Sequence, residues 1–232
     1  MWIAVTRPGE DAVSLTKKLE AMGHQVIAAP MMAITPRAAV TIPDLEFQAI
    51  AITSANGIRT LSQPGQLTSL RTLTVGPQSL RAAIALGFRA EARGGDVNGL
   101  AAFIRAELDP ANGPILYLSG DETSGDLEAQ LNAAGFACHR AILYDAVPAK
   151  SLGDAGEALR IGTLDAVLLY SPRTARIWRA LLAAAGLEQA AARVLHLCLS
   201  RNVAAVLPET WNAITASSPN ETAMLALLEH CR

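Results

Sequence analysis

The chain of 232 residues is 51% hydrophobic and 17% charged, enough apolar surface for one large core or two modest ones. Its 19 basic and 21 acidic side chains leave a net charge of -2, so no global field draws it to nucleic acid or to a membrane surface, and an anionic ligand has to be held locally. The mean hydropathy of +0.27 comes from Ala, Leu, Ile and Val dispersed among charges, and the longest uncharged stretch, residues 21–36, contains Gly23, Pro30 and Pro36, which exclude a spanning helix.

The chain opens Met1-Trp2-Ile3-Ala4-Val5-Thr6-Arg7-Pro8, without the apolar centre of a secretory signal, so a cytoplasmic protein is expected. Ile3-Ala4-Val5 reads as a strand, Leu15, Leu19 and Met22 line one face of a helix that Gly23 ends, and Val26-Ile27-Ala28 returns as a second strand. Further apolar strand runs follow at 50–53, 73–75, 115–118, 167–170 and 194–197, with stretches of helical period between them. This alternation predicts an α/β fold with parallel sheets, and the near-continuous apolar strands imply helices on both faces. Residues 31–37 and 142–150 break the alternation; extended and marked by Pro36 and Pro148, they read as a pair of linker strands. The expected organisation is a discontinuous lobe of residues 1–30 plus 151–232, a second lobe of 39–141, and linkers at 31–38 and 142–150.

An internal repeat supports two similar lobes. Ile52-Thr53-Ser54-Ala55 is echoed by Leu169-Tyr170-Ser171-Pro172. The interval from Val75-Gly76-Pro77 to Gly94-Gly95-Asp96 recurs between Cys198-Leu199-Ser200 and Ser217-Ser218-Pro219, each time with a helix beyond.

In such sheets ligands bind beyond the carboxyl ends of the strands, where the N–H groups of the following helices point outward. The loops there are small and hydroxyl-rich: Thr6-Arg7-Pro8, Thr53-Ser54-Ala55-Asn56-Gly57, Gly76-Pro77-Gln78-Ser79, Ser119-Gly120-Asp121-Glu122-Thr123-Ser124, Ser171-Pro172-Arg173-Thr174 and Ser200-Arg201-Asn202. Each suits helix capping, and together they suit an anion held by hydroxyls and amides in one cleft. Gly120 and Gly125 lead into Asp126-Leu127 and not into Lys-Ser/Thr, and no G-x-G-x-x-G follows the first strand, so nucleotide and dinucleotide cofactors are not expected. Cys138, Cys198 and Cys231 lack the short paired spacing of a disulfide framework or zinc site. Cys138 and Cys198 read as buried small hydrophobes. His196 and Cys198 share a strand face with no second pair to complete a metal shell, His24 and His230 read as surface residues, and His139 as strand packing.

The order and spacing of Val5-Thr6-Arg7-Pro8, Ile52-Thr53-Ser54-Ala55-Asn56-Gly57, Val75-Gly76, Leu118-Ser119-Gly120, Leu143-Tyr144, Ser171-Pro172 and Cys198-Leu199-Ser200 resemble the uroporphyrinogen-III synthase family over essentially the whole chain. The resemblance implies two α/β lobes joined by a two-stranded ladder, acting as a monomer and without a cofactor. The implied substrate is hydroxymethylbilane, a linear tetrapyrrole with eight carboxylates, which loses its terminal hydroxyl as water and closes with inversion of the last pyrrole through a spiro intermediate. The product, uroporphyrinogen III, precedes haem, sirohaem and cobalamin. Since the free bilane already cyclises, to the wrong isomer, selecting geometry is the task implied for the enzyme. The resemblance puts a tyrosine at Tyr144, expected to assist departure of the hydroxyl. Ser54, Ala55, Asn56, Ser79, Gly120, Ser171 and Ser200 are the expected substrate contacts, with Arg7 as a carboxylate partner. Leu199 departs from the pattern, since glycine often stands there in the family. The competing expectation is a non-enzymatic, two-lobed small-ligand-binding or sensor module.

Overall fold

The computed structural model describes residues 1–123 and 125–229; Ser124, His230 and Cys231, assigned above to a loop, the surface and the thiol set, lie outside the described residues. The chain divides into two compact units, one formed by Met1–Ala33 with the chain from Val147 onward, the other by Ile34–Ala146.

The first unit begins with β1 (Trp2–Val5), α1 (Gly9–Ala21) and β2 (Gln25–Ala28), after which β3 (Met32–Pro36) leads into the second unit. There follow β4 (Ala49–Ile52), α2 (Ala55–Arg59), β5 (Arg71–Thr74), α3 (Pro77–Ala85), β6 (Arg89–Ala92), α4 (Val97–Glu107), β7 (Ile115–Gly120), α5 (Leu127–Ala133) and β8 (Cys138–Pro148). The chain then completes the first unit with α6 (Asp154–Arg160), β9 (Ala166–Leu169), α7 (Pro172–Ala185), α8 (Glu188–Ala191), β10 (Leu195–Cys198), α9 (Arg201–Ala204), β11 (Ala213–Thr215) and α10 (Glu221–Glu229).

The first unit's sheet has the order β11-β10-β9-β1-β2, every neighbouring pair being parallel. The second has the order β3-β8-β7-β4-β5-β6, parallel from β8 to β6. In the second sheet β4, β5 and β6 step outwards and β7 returns beside β4; in the first, β9, β10, β11, β1 and β2 take the same places as β4, β5, β6, β7 and β8, although β1 and β2 come first in the chain. The segments expected only to pair with each other also extend this second sheet: β8 lies along β7, and β3 lies along β8. Ala149 N–H bonds to Met31 O while Arg37 N–H bonds to Leu143 O, so β3 runs opposite to its neighbour. The strands β6 and β11, which the apolar pattern does not reveal, are outer strands with the sequences RAEA and AIT. Exposed on one side, they need no continuous apolar run.

Both faces of each sheet are covered. In the first unit, Ala4, Val167, Leu169 and Cys198 pack with Trp178, Leu182 and Trp211, while the alternate residues Ile3, Val5, Leu168 and Leu197 pack with Leu15, Leu19, Met224 and Leu228. In the second, Ala49, Ala51, Leu73 and Tyr117 pack with Leu100, Ile104 and Leu131. Ile50, Ile52, Leu116 and Leu118 on the alternate positions are also fully buried.

His24, expected on the surface, is buried with 5% exposure. The cause is the end of α1: Gly23 takes φ +85°, its N–H bonds to Glu20 O, and the His24 N–H bonds back to Leu19 O. That six-to-one closure folds residue 24 over the last turn instead of releasing it to solvent. The helix α3 ends the same way, with Gly87 N–H on Ile84 O and Phe88 N–H on Ala83 O, and there the following residue is an apolar core side chain.

Candidate active site

The carboxyl rim of the second sheet gathers the largest set of expected site residues. β7 and β8 are in step up to Ser119 opposite Ile142, and then Gly120 stands opposite Tyr144, so β8 carries one extra residue. Such a bulge re-aims the side chain that follows it. The Tyr144 ring lies against Gly120, where a β-carbon would stand 2.5 Å from Cζ and 2.8 Å from Oη, and near Gly57, where one would stand 3.7 Å from Cε1. Glycine at 120 is therefore what makes room for the ring. Tyr144 is 6% exposed, and its hydroxyl donates to Ser54 Oγ at 3.2 Å. Ser54 is the N-cap of α2 and accepts the Asn56 N–H at 3.2 Å. Ala55 begins the helix and is buried, so its main chain is all it has to contribute at the rim.

Behind this pair stands Arg140, which the sequence reading did not single out. Its Nε donates to Ser119 Oγ at 2.8 Å and its Nη2 to the carbonyls of Gly120 at 2.7 Å and Asp121 at 2.8 Å. Asp121 in turn gives its N–H to Tyr144 O and accepts the Ala146 N–H through Oδ1 at 3.0 Å. The guanidinium thus fixes the turn after β7 and, through it, the strand that carries Tyr144. Among the described residues it forms no ion pair, so its charge adds to the potential at this rim. Thr53 Oγ1 and Tyr117 Oη share a hydrogen bond of 2.9 Å beside it, and burial pushes the Tyr117 phenol above its ordinary range. A basic residue ahead of the apolar run Ala141-Ile142-Leu143 does not by itself mark Arg140 as a site residue, and Tyr117, inside an apolar strand, gives no signal either.

Ser79 is in the first turn of α3 and is buried, with 5% exposure. In the first unit, Ser171 caps α7, accepting the Thr174 N–H at 3.1 Å and sharing a 2.8 Å bond with the Thr174 hydroxyl. Ser200 occupies the N-cap position of α9 without a side-chain capping bond, so the structure separates it from Ser54 and Ser171, whose hydroxyl oxygens each accept a capping N–H. Leu199 before it packs into the core on both faces of the sheet. Arg7 follows β1, pairs with Glu221 Oε2 at 2.9 Å and lies 3.9 Å over the Tyr170 ring.

His196 and Cys198 share one face of β10 as expected, but in the core. His196 Nδ1 lies 3.0 Å from Val194 O and Nε2 accepts from Trp178 Nε1 at 3.3 Å, and burial lowers its pKa to about 4. The ring is neutral at physiological pH. Burial raises the Cys138 and Cys198 thiols to about 12, which makes them poor nucleophiles.

Two α/β units of one strand plan, each with hydroxyls and helix N-termini at the carboxyl rim of its sheet, define the class: an α/β protein built from a repeated unit, one copy of which is discontinuous in the chain. The sequence model of uroporphyrinogen-III synthase HemD matches residues 13–226, and the chain belongs to the uroporphyrinogen-III synthase family. It is 27% identical over 195 residues to the uroporphyrinogen-III synthase of Chlorobaculum parvum, covering 75% of this chain and 76% of that protein. Among solved structures it is similar in fold to uroporphyrinogen-III synthetase from Helicobacter pylori, with a TM-score of 0.66, 14% identity, and 99% of each chain covered. The same holds for a mutant uroporphyrinogen III synthase from Thermus thermophilus, with a TM-score of 0.59, 17% identity, and 99% of this chain and 98% of that one covered. The chain is accordingly a cyclising lyase of tetrapyrrole biosynthesis. No helix among the described residues is long and apolar enough to cross a membrane.

Proposed function

We propose that the chain converts hydroxymethylbilane to uroporphyrinogen III as a cytoplasmic monomer, with Tyr144 assisting departure of the terminal hydroxyl. The observation that carries the role of Tyr144 is its hydroxyl, held at 3.2 Å from Ser54 Oγ by a ring seated on Gly120. When substrate is bound, the Tyr144 O–H turns from Ser54 Oγ to the leaving hydroxyl and the Ser54 hydroxyl donates to the phenol oxygen in its place, so the leaving group gains a hydrogen bond as its C–O bond breaks. The hydroxyl departs as water. The substituted α-carbon of the last pyrrole bonds to the cationic methylene, its old bond to the neighbouring bridge carbon breaks, and that bridge carbon bonds to the pyrrole's free α-carbon, whose lost proton balances the one the water gained. The cation left on the bilane is delocalised over its pyrrole, so the enzyme's larger task is to fix which ring carbon meets it.

The substrate's carboxylates are assigned to the hydroxyls and N–H groups at the two rims: Ser54, Ala55, Asn56, Ser79 and Gly120 in the second unit, and Arg7, Ser171 and Ser200 in the first. Helix N-termini and short hydroxyl side chains suit carboxylates because both present donors without a buried countercharge. The charge of Arg140 supports the same reading. Freshly prepared hydroxymethylbilane is the test: the protein should release the type III isomer, identified after oxidation to the porphyrin, and type I alone would overturn the proposal.

A further inference from the structure

The first unit holds one carboxylate of its own in the way a bound one would be held. Glu221 bridges Arg7, at 2.9 Å, and Lys18 of α1. The Arg7 guanidinium lies 3.9 Å over the ring of Tyr170, whose hydroxyl is buried and has no hydrogen-bond partner among the described residues. Glu221 is not needed to cap α10, because Asn220 Oδ1 already accepts the Ala223 N–H at 2.9 Å. The Glu221 side chain keeps 21% and the Lys18 side chain 52% of their exposure, so the outer edge of the cluster is open to solvent. A guanidinium immobilised on an aromatic face, an ammonium beside it and a buried hydroxyl awaiting a partner together make a receptor for a single carboxylate.

We propose that Arg7 and Lys18 form a subsite for one carboxylate of the tetrapyrrole, and that Glu221 occupies it until the substrate displaces it. This rests on the activity proposed above and adds the competitor to it. The exchange swaps one carboxylate for another, so both cations stay paired throughout and neither is stranded. A tethered competitor lowers the apparent affinity by the fraction of time it keeps the subsite closed. Removing it should therefore tighten binding, which loss of a purely structural brace would not do.

The test compares steady-state kinetics of Glu221→Gln with the unaltered protein at low and high salt. The proposal predicts that KM for hydroxymethylbilane falls about threefold to tenfold at low salt. It also predicts that Arg7→Gln raises KM, and that the gain from Glu221→Gln vanishes when both changes are combined. A KM that is unchanged or raised in Glu221→Gln overturns the proposal and makes Glu221 a brace between α10 and the β1 rim. Should that variant fold poorly, Glu221→Ala is measured with uroporphyrin I, an unreactive octacarboxylate, by quenching of tryptophan fluorescence, and tighter binding supports the subsite while equal or weaker binding overturns it. Failure of the unaltered protein to make the type III isomer would instead overturn the activity, and the uroporphyrin I comparison would still decide the subsite.

Discussion

The Tyr144 ring rests on Gly120 so closely that a methyl group at residue 120 would stand 2.5 Å from Cζ. These two residues face each other only because β8 carries one extra residue where β7 ends. Gly120→Ala should therefore push the ring off its seat and lengthen the bond to Ser54. The expected cost is about 1–3 kcal/mol of stability from overpacking, together with a fall in kcat larger than the change in KM. Chemical denaturation and steady-state kinetics on one preparation check both.

Arg140 holds Ser119, Gly120 and Asp121 with three hydrogen bonds. Replacing it by Met leaves those acceptors without their donor, with an expected loss of about 2–3 kcal/mol. Arg140→Lys keeps the charge without the planar fork and should lie between. If the guanidinium fixes the turn that carries Tyr144, the share of type III product should fall in the order Arg, Lys, Met. An unchanged isomer share across the series would confine Arg140 to stability.

His196 gives the stability a pH dependence of known sign. The folded ring titrates at about 4, depressed by burial from its ordinary 6.5. A lowered pKa on a base means that the unfolded chain takes up the proton first, so the contribution is complete above pH 6.5 and is lost as pH falls towards 4. Between pH 7.5 and pH 5 the expected loss is about 2 kcal/mol. Urea denaturation at the two pH values measures it, and His196→Gln should reduce the difference.

The fold class was legible because buried parallel strands must be apolar along their whole length, and Ile3-Ala4-Val5 or Val167-Leu168-Leu169 announce themselves. The outer strands β6 and β11 were not, since Arg89–Ala92, for one, has a wet side and its charges mask it. His24 was misplaced because composition does not show that a glycine-closed helix end tucks the next residue inwards. At the rims, residue types at strand ends picked out Ser54, Ser171 and Ser200 alike, yet only coordinates separate the hydroxyls that accept a capping N–H from the one that does not. Arg140 and Glu221 act through partners 20 and 214 residues away, on Gly120 and Arg7, and pairings of that span leave no local pattern.

The phenol of Tyr144 is the group on which the catalytic account turns, and Tyr144→Phe removes it while leaving the ring on Gly120. The rate of type III formation from hydroxymethylbilane, measured with thermal unfolding on the same sample, is the most direct test. The account predicts a fall in kcat of about tenfold to a hundredfold, with a fold as stable as the parent to within about 1 kcal/mol. An enzyme that keeps its full rate and its isomer choice without that hydroxyl would contradict it.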